Sequence, residues 1–284
     1  MRNILLFIDN GPDAGKLVKK ALKIAYQCKA NLQLCFNMKT RLKRSVLVEY
    51  GDEELSMERD DFTNIEDITL ELAIKRSENE FVPKINRVEI NNFNIRTIQE
   101  MVVSDNIWLI IIDDQKLQLK NSHPENSMIK MIGNLNCPVM LLSQAVDLTS
   151  FNKIAYITDL RYCDMGVIRF LKVFNAPIFV THISAPGLPD MEERYAQEIL
   201  SETVSVKANY TKIFLRNIKN KNVQASVTKI FDELEITMFA FVNNKHQTFE
   251  RLYDNFPDKT QAYHNLPALI FPYLNWFNQP SFYN

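Results

Sequence analysis

The chain has few of the residues on which phosphate-binding loops and metal sites depend. Only 6 of its 284 residues are glycine, and it contains no P-loop, GxGxxG, GxSxG or HExxH motif. Its 4 cysteines include no CxxC pair and no histidine at a spacing suited to zinc. We therefore predict no catalytic residue and no metal site, and we expect the cysteines to be buried thiols.

The chain also lacks an excess of either charge and a long apolar segment. Lysine and arginine number 33 against 34 aspartate and glutamate residues, so no general attraction to nucleic acid or to a membrane surface is expected. No segment is long enough to span a bilayer, and the short apolar run before Asp9 is typical of a buried strand rather than of a signal peptide. Together with reduced cysteines, this predicts a cytoplasmic protein.

The sequence repeats itself, and both copies begin in the same way. Residues 3–10 and 152–160 are apolar runs of strand length, closed by Asp9 and Asp159. Apolar residues at helical spacing follow each run, and a second apolar run follows each helix. A β-α-β unit therefore starts each copy.

The copies also end alike. Proline opens the last apolar run of each, NCPVMLL at 136–142 and NLPALIF at 265–271. We predict one domain over 1–146 and a second over 147–284, which includes an aromatic C-terminal tail. The alternating pattern gives each domain a parallel sheet with helices on both faces, and ligands of such sheets bind at the carboxyl ends of the strands.

This order of elements resembles the universal stress protein family over nearly the whole chain. The segment KHQTFERLYDNFPDKTQAYHNLPALIF at 245–271 is similar to the closing segment of tandem bacterial members. Its matching residues are Lys245, Phe249, Glu250, Arg251, His264 and Pro267. The resemblance implies two tandem Rossmann-like domains of the adenine nucleotide alpha hydrolase-like type, each a five-stranded parallel sheet in the order 3-2-1-4-5. It also implies an intrachain pseudo-dimer through the last strands, with a homodimer left open.

The loop that binds ATP in this family is not preserved here. ATP-binding members carry a Gly-x-x-Gly pair after the fourth strand and a later Gly with Ser or Thr, because a Cβ would keep the phosphates from the backbone N–H groups. The first copy has Asp113 and Lys116 at the glycine pair and then Asn126 with Ser127. The second copy has Asn243 and His246, followed by Asp254 and Asn255. No cofactor is therefore predicted, and ATP or another nucleotide is not favoured.

The remaining candidates allow a functional and a structural interpretation each. Asp9 and Asp159 contact a nucleoside or cap the following helix. Lys245 and His246 hold an anion or lie in a solvated loop, and His264 and the acidic run 52–67 stay open in the same way. The candidate ligand-binding residues are Asp9, Asn10, Asp113, Lys116, Ser127, Asp159, Asn243, Lys245 and His246.

The resemblance implies a non-catalytic protein of a bacterial stress response, without the usual ATP binding. One alternative is a sensor that holds a nucleotide or small metabolite by a loop without glycine. The other is an enzyme of the wider nucleotide-binding α/β superfamily.

Overall fold

The structure is a computed structural model, and it describes about half of the chain. The described residues are 1–8, 14–37, 81–90, 94–113, 135–143, 151–158, 165–184, 192–199, 201–202, 209–219, 231–243 and 266–272. The chain divides into two compact units, which comprise Met1–Cys137 and Pro138–Phe282.

The described residues of the first unit form a parallel sheet of four strands with the order β3-β2-β1-β4. Its elements are β1 (Asn3–Ile8), α1 (Ala14–Gln27), β2 (Asn31–Asn37), β3 (Ile85–Ile90), α2 (Ile95–Ser104) and β4 (Ile107–Asp113). The neighbouring strands β1 and β4 are almost wholly buried, as their continuous apolar sequences predict. Helix α1 buries Leu17, Ala21 and Ile24 on one face and exposes its lysines at 16, 19 and 23 on the other.

In the part of the second unit that the structure describes, six strands follow the order β5-β10-β9-β6-β7-β8. All neighbouring strands are parallel except β5, which runs antiparallel to β10. Its strands are β5 (Val139–Leu142), β6 (Ile154–Thr158), β7 (Ile178–Ser184), β8 (Ile213–Lys219), β9 (Met238–Asn243) and β10 (Ala268–Pro272). Helix α3 (Met165–Leu171) continues into a 3-10 turn, Lys172–Phe174, and α4 spans Glu193–Glu198. The predicted α/β class with mostly parallel pairing is confirmed.

Strand β5 belongs to the second unit, although the sequence assigns it to the first copy. It pairs with β10 through Leu269 opposite Met140 and Ala268 opposite Leu141, and both strands are buried along their length. The predicted domains, 1–146 and 147–284, describe the duplication in the sequence and stay a prediction. The segment 144–150, at their boundary, lies outside the described residues.

Three cysteines are buried thiols, as predicted: Cys28, Cys35 and Cys137. Burial raises the pKa of the Cys28 and Cys137 thiols, although the nearby Arg2 charge opposes this at Cys28. Both thiols are therefore protonated and unreactive at neutral pH. Cys163 lies outside the described residues. Among the described helices, none is long and apolar enough to cross a membrane.

Candidate functional site

The carboxyl ends of the parallel strands form the candidate functional site, because ligands of open α/β sheets bind there. The strand registers define a last row of side chains across each unit. In the first unit this row contains Ile8, Phe36 and Glu89. In the second unit it contains Thr158, His182 and Asn217.

The two rows occupy equivalent positions, since Ile8 directly precedes Asp9 and Thr158 directly precedes Asp159. Their chemistry differs. Ile8 is buried, Phe36 is partly buried and the one charged member, Glu89, is exposed. In the second unit all three residues are polar and none is acidic, with Thr158 and His182 buried. Only the second unit therefore has a row of hydrogen-bonding side chains here.

His182 is the central residue of the polar row, and its orientation is fixed by the backbone. Its Nδ1 lies 3.1 Å from the carbonyl oxygen of Thr158 on the neighbouring strand. A carbonyl oxygen only accepts hydrogen bonds, so Nδ1 carries the hydrogen of this bond. In the neutral ring, Nε2 is then the acceptor. The side chain can thus offer an acceptor to a donor group of a ligand or of the protein.

The structure describes two of the residues predicted for the site, Asp113 and Asn243. Asp113 is the last residue of β4, and its exposure of 5% makes it a buried strand residue rather than part of an open loop. Asn243 ends β9, is half-buried and lies opposite Pro272 of β10. The other predicted residues lie outside the described part of the chain: Asp9, Asn10, Lys116, Ser127, Asp159, Lys245 and His246. The same is true of His264 and the acidic run 52–67.

The loop pattern aligns Asp113 at the end of β4 with Asn243 at the end of β9, and the strand registers shift this correspondence by one residue. Leu6 pairs with Ile111 in the first unit, and the equivalent Tyr156 pairs with Ala240 in the second. Two residues further on lie Asp113 and Val242. Asn243 is therefore equivalent to the residue after Asp113, because the register of the central strands, and not the loop pattern, sets the correspondence.

The two ends differ in the ligands that they suit. Asp113 brings a buried carboxylate to the end of β4, which disfavours an anionic ligand in the first unit. The row of the second unit contains no carboxylate, and its polar side chains suit groups that donate or accept hydrogen bonds. Among the described residues, no group of histidine, cysteine, aspartate or glutamate side chains could hold a metal ion.

The sequence interpretation missed Thr158, His182 and Asn217. A signal was present, because Thr181 and His182 interrupt the apolar residues of β7, and Asn217 interrupts β8 in the same way. The sequence does not show that the three side chains share one row. That follows from the pairing of β6, β7 and β8.

The strand topology and this edge define an open, mostly parallel α/β protein with its candidate site at the carboxyl ends of the strands. Its fold is that of universal stress proteins. A universal stress protein from Archaeoglobus fulgidus DSM 4304 matches with a TM-score of 0.58 at 11% sequence identity, over 96% of this chain and 98% of that chain. A Pseudomonas aeruginosa UCBPP-PA14 protein assigned to universal stress proteins matches with a TM-score of 0.60 at 15% identity, over 96% of this chain and 93% of that chain.

A protein of unknown function from Pseudomonas aeruginosa PAO1 has the same fold, with a TM-score of 0.57 at 14% identity over 96% of this chain and 92% of that chain. No protein-family model matches the sequence, and no curated protein matches it either. The resemblance derived from the residues is therefore supported by the fold, and these identities are too low to carry a function.

Proposed function

We propose that this chain is a universal stress protein-like, non-catalytic protein of a bacterial stress response, which acts by binding and partner recruitment without the usual ATP binding. The observation that carries this proposal is Asp113, a buried carboxylate at the end of β4. The resemblance implies a glycine at this position in ATP-binding members. A cytoplasmic location fits the buried thiols, but it remains part of the proposal.

Two physical effects oppose a triphosphate at Asp113. Two like unit charges about 4 Å apart repel each other by about 1 kcal/mol in water and by about 4 kcal/mol near a protein surface. In addition, a side chain replaces the hydrogen of glycine, so the backbone N–H groups cannot approach the phosphates as closely. Lys116 and Ser127 cannot replace several backbone donors, because one exposed ionic contact contributes only about 1 kcal/mol or less.

The test is isothermal titration of the full chain with ATP and magnesium at low salt. We expect no saturable heat from the wild type. Asp113→Asn removes the charge and keeps the shape, and we expect it to restore little binding, since the backbone donors are still obstructed. A dissociation constant in the low micromolar range for the wild type would contradict the proposal.

A second candidate function is a sensor of a small neutral metabolite in the second unit. The row of Thr158, His182 and Asn217 favours it, because the first unit has Ile8 and Phe36 at the equivalent positions. Native mass spectrometry of the purified protein should then detect a bound small molecule. Replacing His182 by phenylalanine, the residue of the first unit, should abolish that retention, whereas a ligand retained by this variant would argue against the row.

The proposed partners are those expected from the sequence. The two copies form an intrachain pseudo-dimer, which the antiparallel pairing of β5 with β10 supports. A homodimer is an alternative, and neither nucleic acid nor a membrane is a proposed partner. The proposal assigns no catalytic step to any residue, and no cofactor.

A further inference from the structure

Strand β8 is the outer strand of the sheet in the second unit, and one side of its backbone faces away from β7. Among the described residues, no strand lies beyond it. The Lys212 carbonyl oxygen accepts a hydrogen bond from the Ile178 amide of β7. Because backbone groups alternate in direction along a strand, those of Ile213 and Leu215 point away from β7. They are therefore oriented to bond with a further strand.

An aromatic ring and a guanidinium project from the same face of this strand. Phe214 is 46% exposed, and Arg216 is exposed as well. The two residues are two positions apart, so their side chains share one face. The Phe214 ring stacks on Phe179 of β7, with 5.0 Å between the ring centroids and an interplanar angle of 20°. That packing holds the exposed ring in place before a partner binds, which lowers the entropy lost on binding.

The charge of Arg216 is not neutralised by a carboxylate within the described residues. Helix α4 packs next to β8, but neither its Glu198 nor the preceding Glu192 forms an ion pair with this guanidinium. A guanidinium is attracted to the face of an aromatic ring. Arg216 can therefore pair with an aromatic side chain of a partner.

The first unit does not have this combination on its own outer strand. The strand registers make Asn86 and Val88 of β3 equivalent to Phe214 and Arg216 of β8. The fold itself thus requires neither a ring nor a cation at these positions. Both are particular to the second unit.

A second copy of β8 fits this strand when it runs antiparallel about a two-fold axis through Leu215. Phe214 of each copy then lies opposite Arg216 of the other. The backbone of these two residues faces β7, so they form a non-hydrogen-bonded pair, in which side chains approach most closely. Each copy supplies a cation to the ring of the other. A two-fold interface is self-complementary in this way.

Neighbouring registers of the same two strands bring like charges together. An axis through Phe214 places Arg216 opposite Lys212, and an axis through Arg216 places two guanidinium groups opposite each other. Like charges directly opposite each other destabilise a strand pair. With the axis through Leu215, Lys212 lies opposite Ile218 instead. Charge therefore favours the register in which Phe214 meets Arg216.

Lys212 cannot take the place of Arg216 in a further register. Its Nζ lies 3.0 Å from the carbonyl oxygen of Asn175 and 2.9 Å from Oδ1 of the same residue. An axis through Ile213 would place this ammonium opposite Phe214. Pairing with the ring would then compete with two existing hydrogen bonds.

We propose that the β8 edge surface, formed by residues 213–218, binds β8 of a second copy of this chain in antiparallel pairing about an axis through Leu215. Phe214 and Arg216 select the register. Strand β8 lies at the opposite end of its sheet from β5, so this homodimer leaves the pairing of β5 with β10 in place. The surface does not depend on the row at His182 or on the absence of ATP binding.

Sedimentation velocity of the full chain over a range of concentrations measures the assembly. We expect a reversible equilibrium between monomer and dimer for the wild type. Phe214→Glu and Phe214→Lys remove the same ring, but only glutamate places an opposite charge against Arg216 of the other copy. We expect Phe214→Glu to form a dimer that weakens as salt is added, and Phe214→Lys to dimerise about tenfold more weakly or less.

Two variants in the first unit are controls. Arg87→Glu tests the other outer strand, β3, and Val103→Ser tests the loss of an apolar side chain that is 75% exposed. Both should dimerise as the wild type does. Thermal unfolding checks that every variant is folded.

Cross-linking tests the register independently of the ring and the charge. Leu215→Cys places two thiols opposite each other with Cα atoms about 5.5 Å apart, a separation that suits a disulfide. Ile213→Cys is the matched control, because Ile213 lies opposite Asn217 and its own counterpart is four residues, or about 13 Å, away. Mild oxidation should therefore give a covalent dimer of Leu215→Cys faster than of Ile213→Cys or of the wild type.

The cysteine pair decides the question if the Phe214 variants do not fold. The proposal is overturned if the wild type stays monomeric at every concentration up to its solubility limit, or if Arg87→Glu alone abolishes the dimer. It is also overturned if Phe214→Lys dimerises as tightly as Phe214→Glu, or if Leu215→Cys cross-links no faster than Ile213→Cys.

Discussion

In the first unit, hydrogen bonds of Asp105 connect residues of β1, β2 and α2. Its carboxylate accepts a hydrogen bond from Gln33 Nε2 at 2.7 Å and another from Ser104 Oγ at 2.8 Å. Its carbonyl oxygen accepts a bond from Asn3 Nδ2 at 2.5 Å. Buried amides need such acceptors, so this aspartate stabilises the junction of β1, β2 and α2.

Asp105→Ala should lower the free energy of unfolding by about 1 to 3 kcal/mol, because the buried Gln33 amide loses its acceptor. Urea unfolding followed by circular dichroism measures the change. Ser104→Ala is the matched control, since it removes an exposed donor to the same carboxylate, and it should cost clearly less. Equal losses for the two variants would show that the bond to Gln33 contributes little.

The elements follow from local patterns where the strands are buried on both faces. The continuous apolar runs Trp108–Ile112 and Met238–Val242 lie within β4 and β9, which are two residues and one residue longer. Strand β8, by contrast, mixes apolar, basic and amide residues and extends to Lys219. A last strand has a mixed pattern because only part of it packs on the core, so its end is less evident in the sequence.

At the level of a helix, Asn94 begins α2. It has an extended backbone, and its side-chain oxygen accepts a hydrogen bond from the Thr97 amide at 2.9 Å. Asn94→Ala should lower the free energy of unfolding by about 0.5 to 2 kcal/mol, because one amide of the first turn loses its acceptor. Asn94→Ser should lose much less, since serine is also a favoured cap. Equal losses for the two variants in urea unfolding would contradict the capping role.

At the scale of the whole molecule, two fragments of the chain test whether β5 stabilises the second unit by pairing with β10. The fragment 138–284 keeps β5 beside β10, whereas the fragment 147–284 leaves β10 as an open apolar strand. We expect the shorter fragment to self-associate, because β10 then exposes backbone groups and buried residues such as Leu269 and Ile270. Light scattering at equal concentrations measures this, with circular dichroism as the control for folding. Two equally monomeric fragments would show that β10 does not need β5.

The sequence by itself determined the α/β class and the buried strands, because continuous apolar runs and helical spacing are local properties. It did not determine which polar residues meet at the end of the sheet, since Thr158, His182 and Asn217 are far apart in the chain. Only the strand register places these three residues in one row. Strand pairing also makes Asp113 equivalent to Val242 and assigns β5 to the second unit. The reason is that hydrogen bonding between distant strands decides which residues are neighbours.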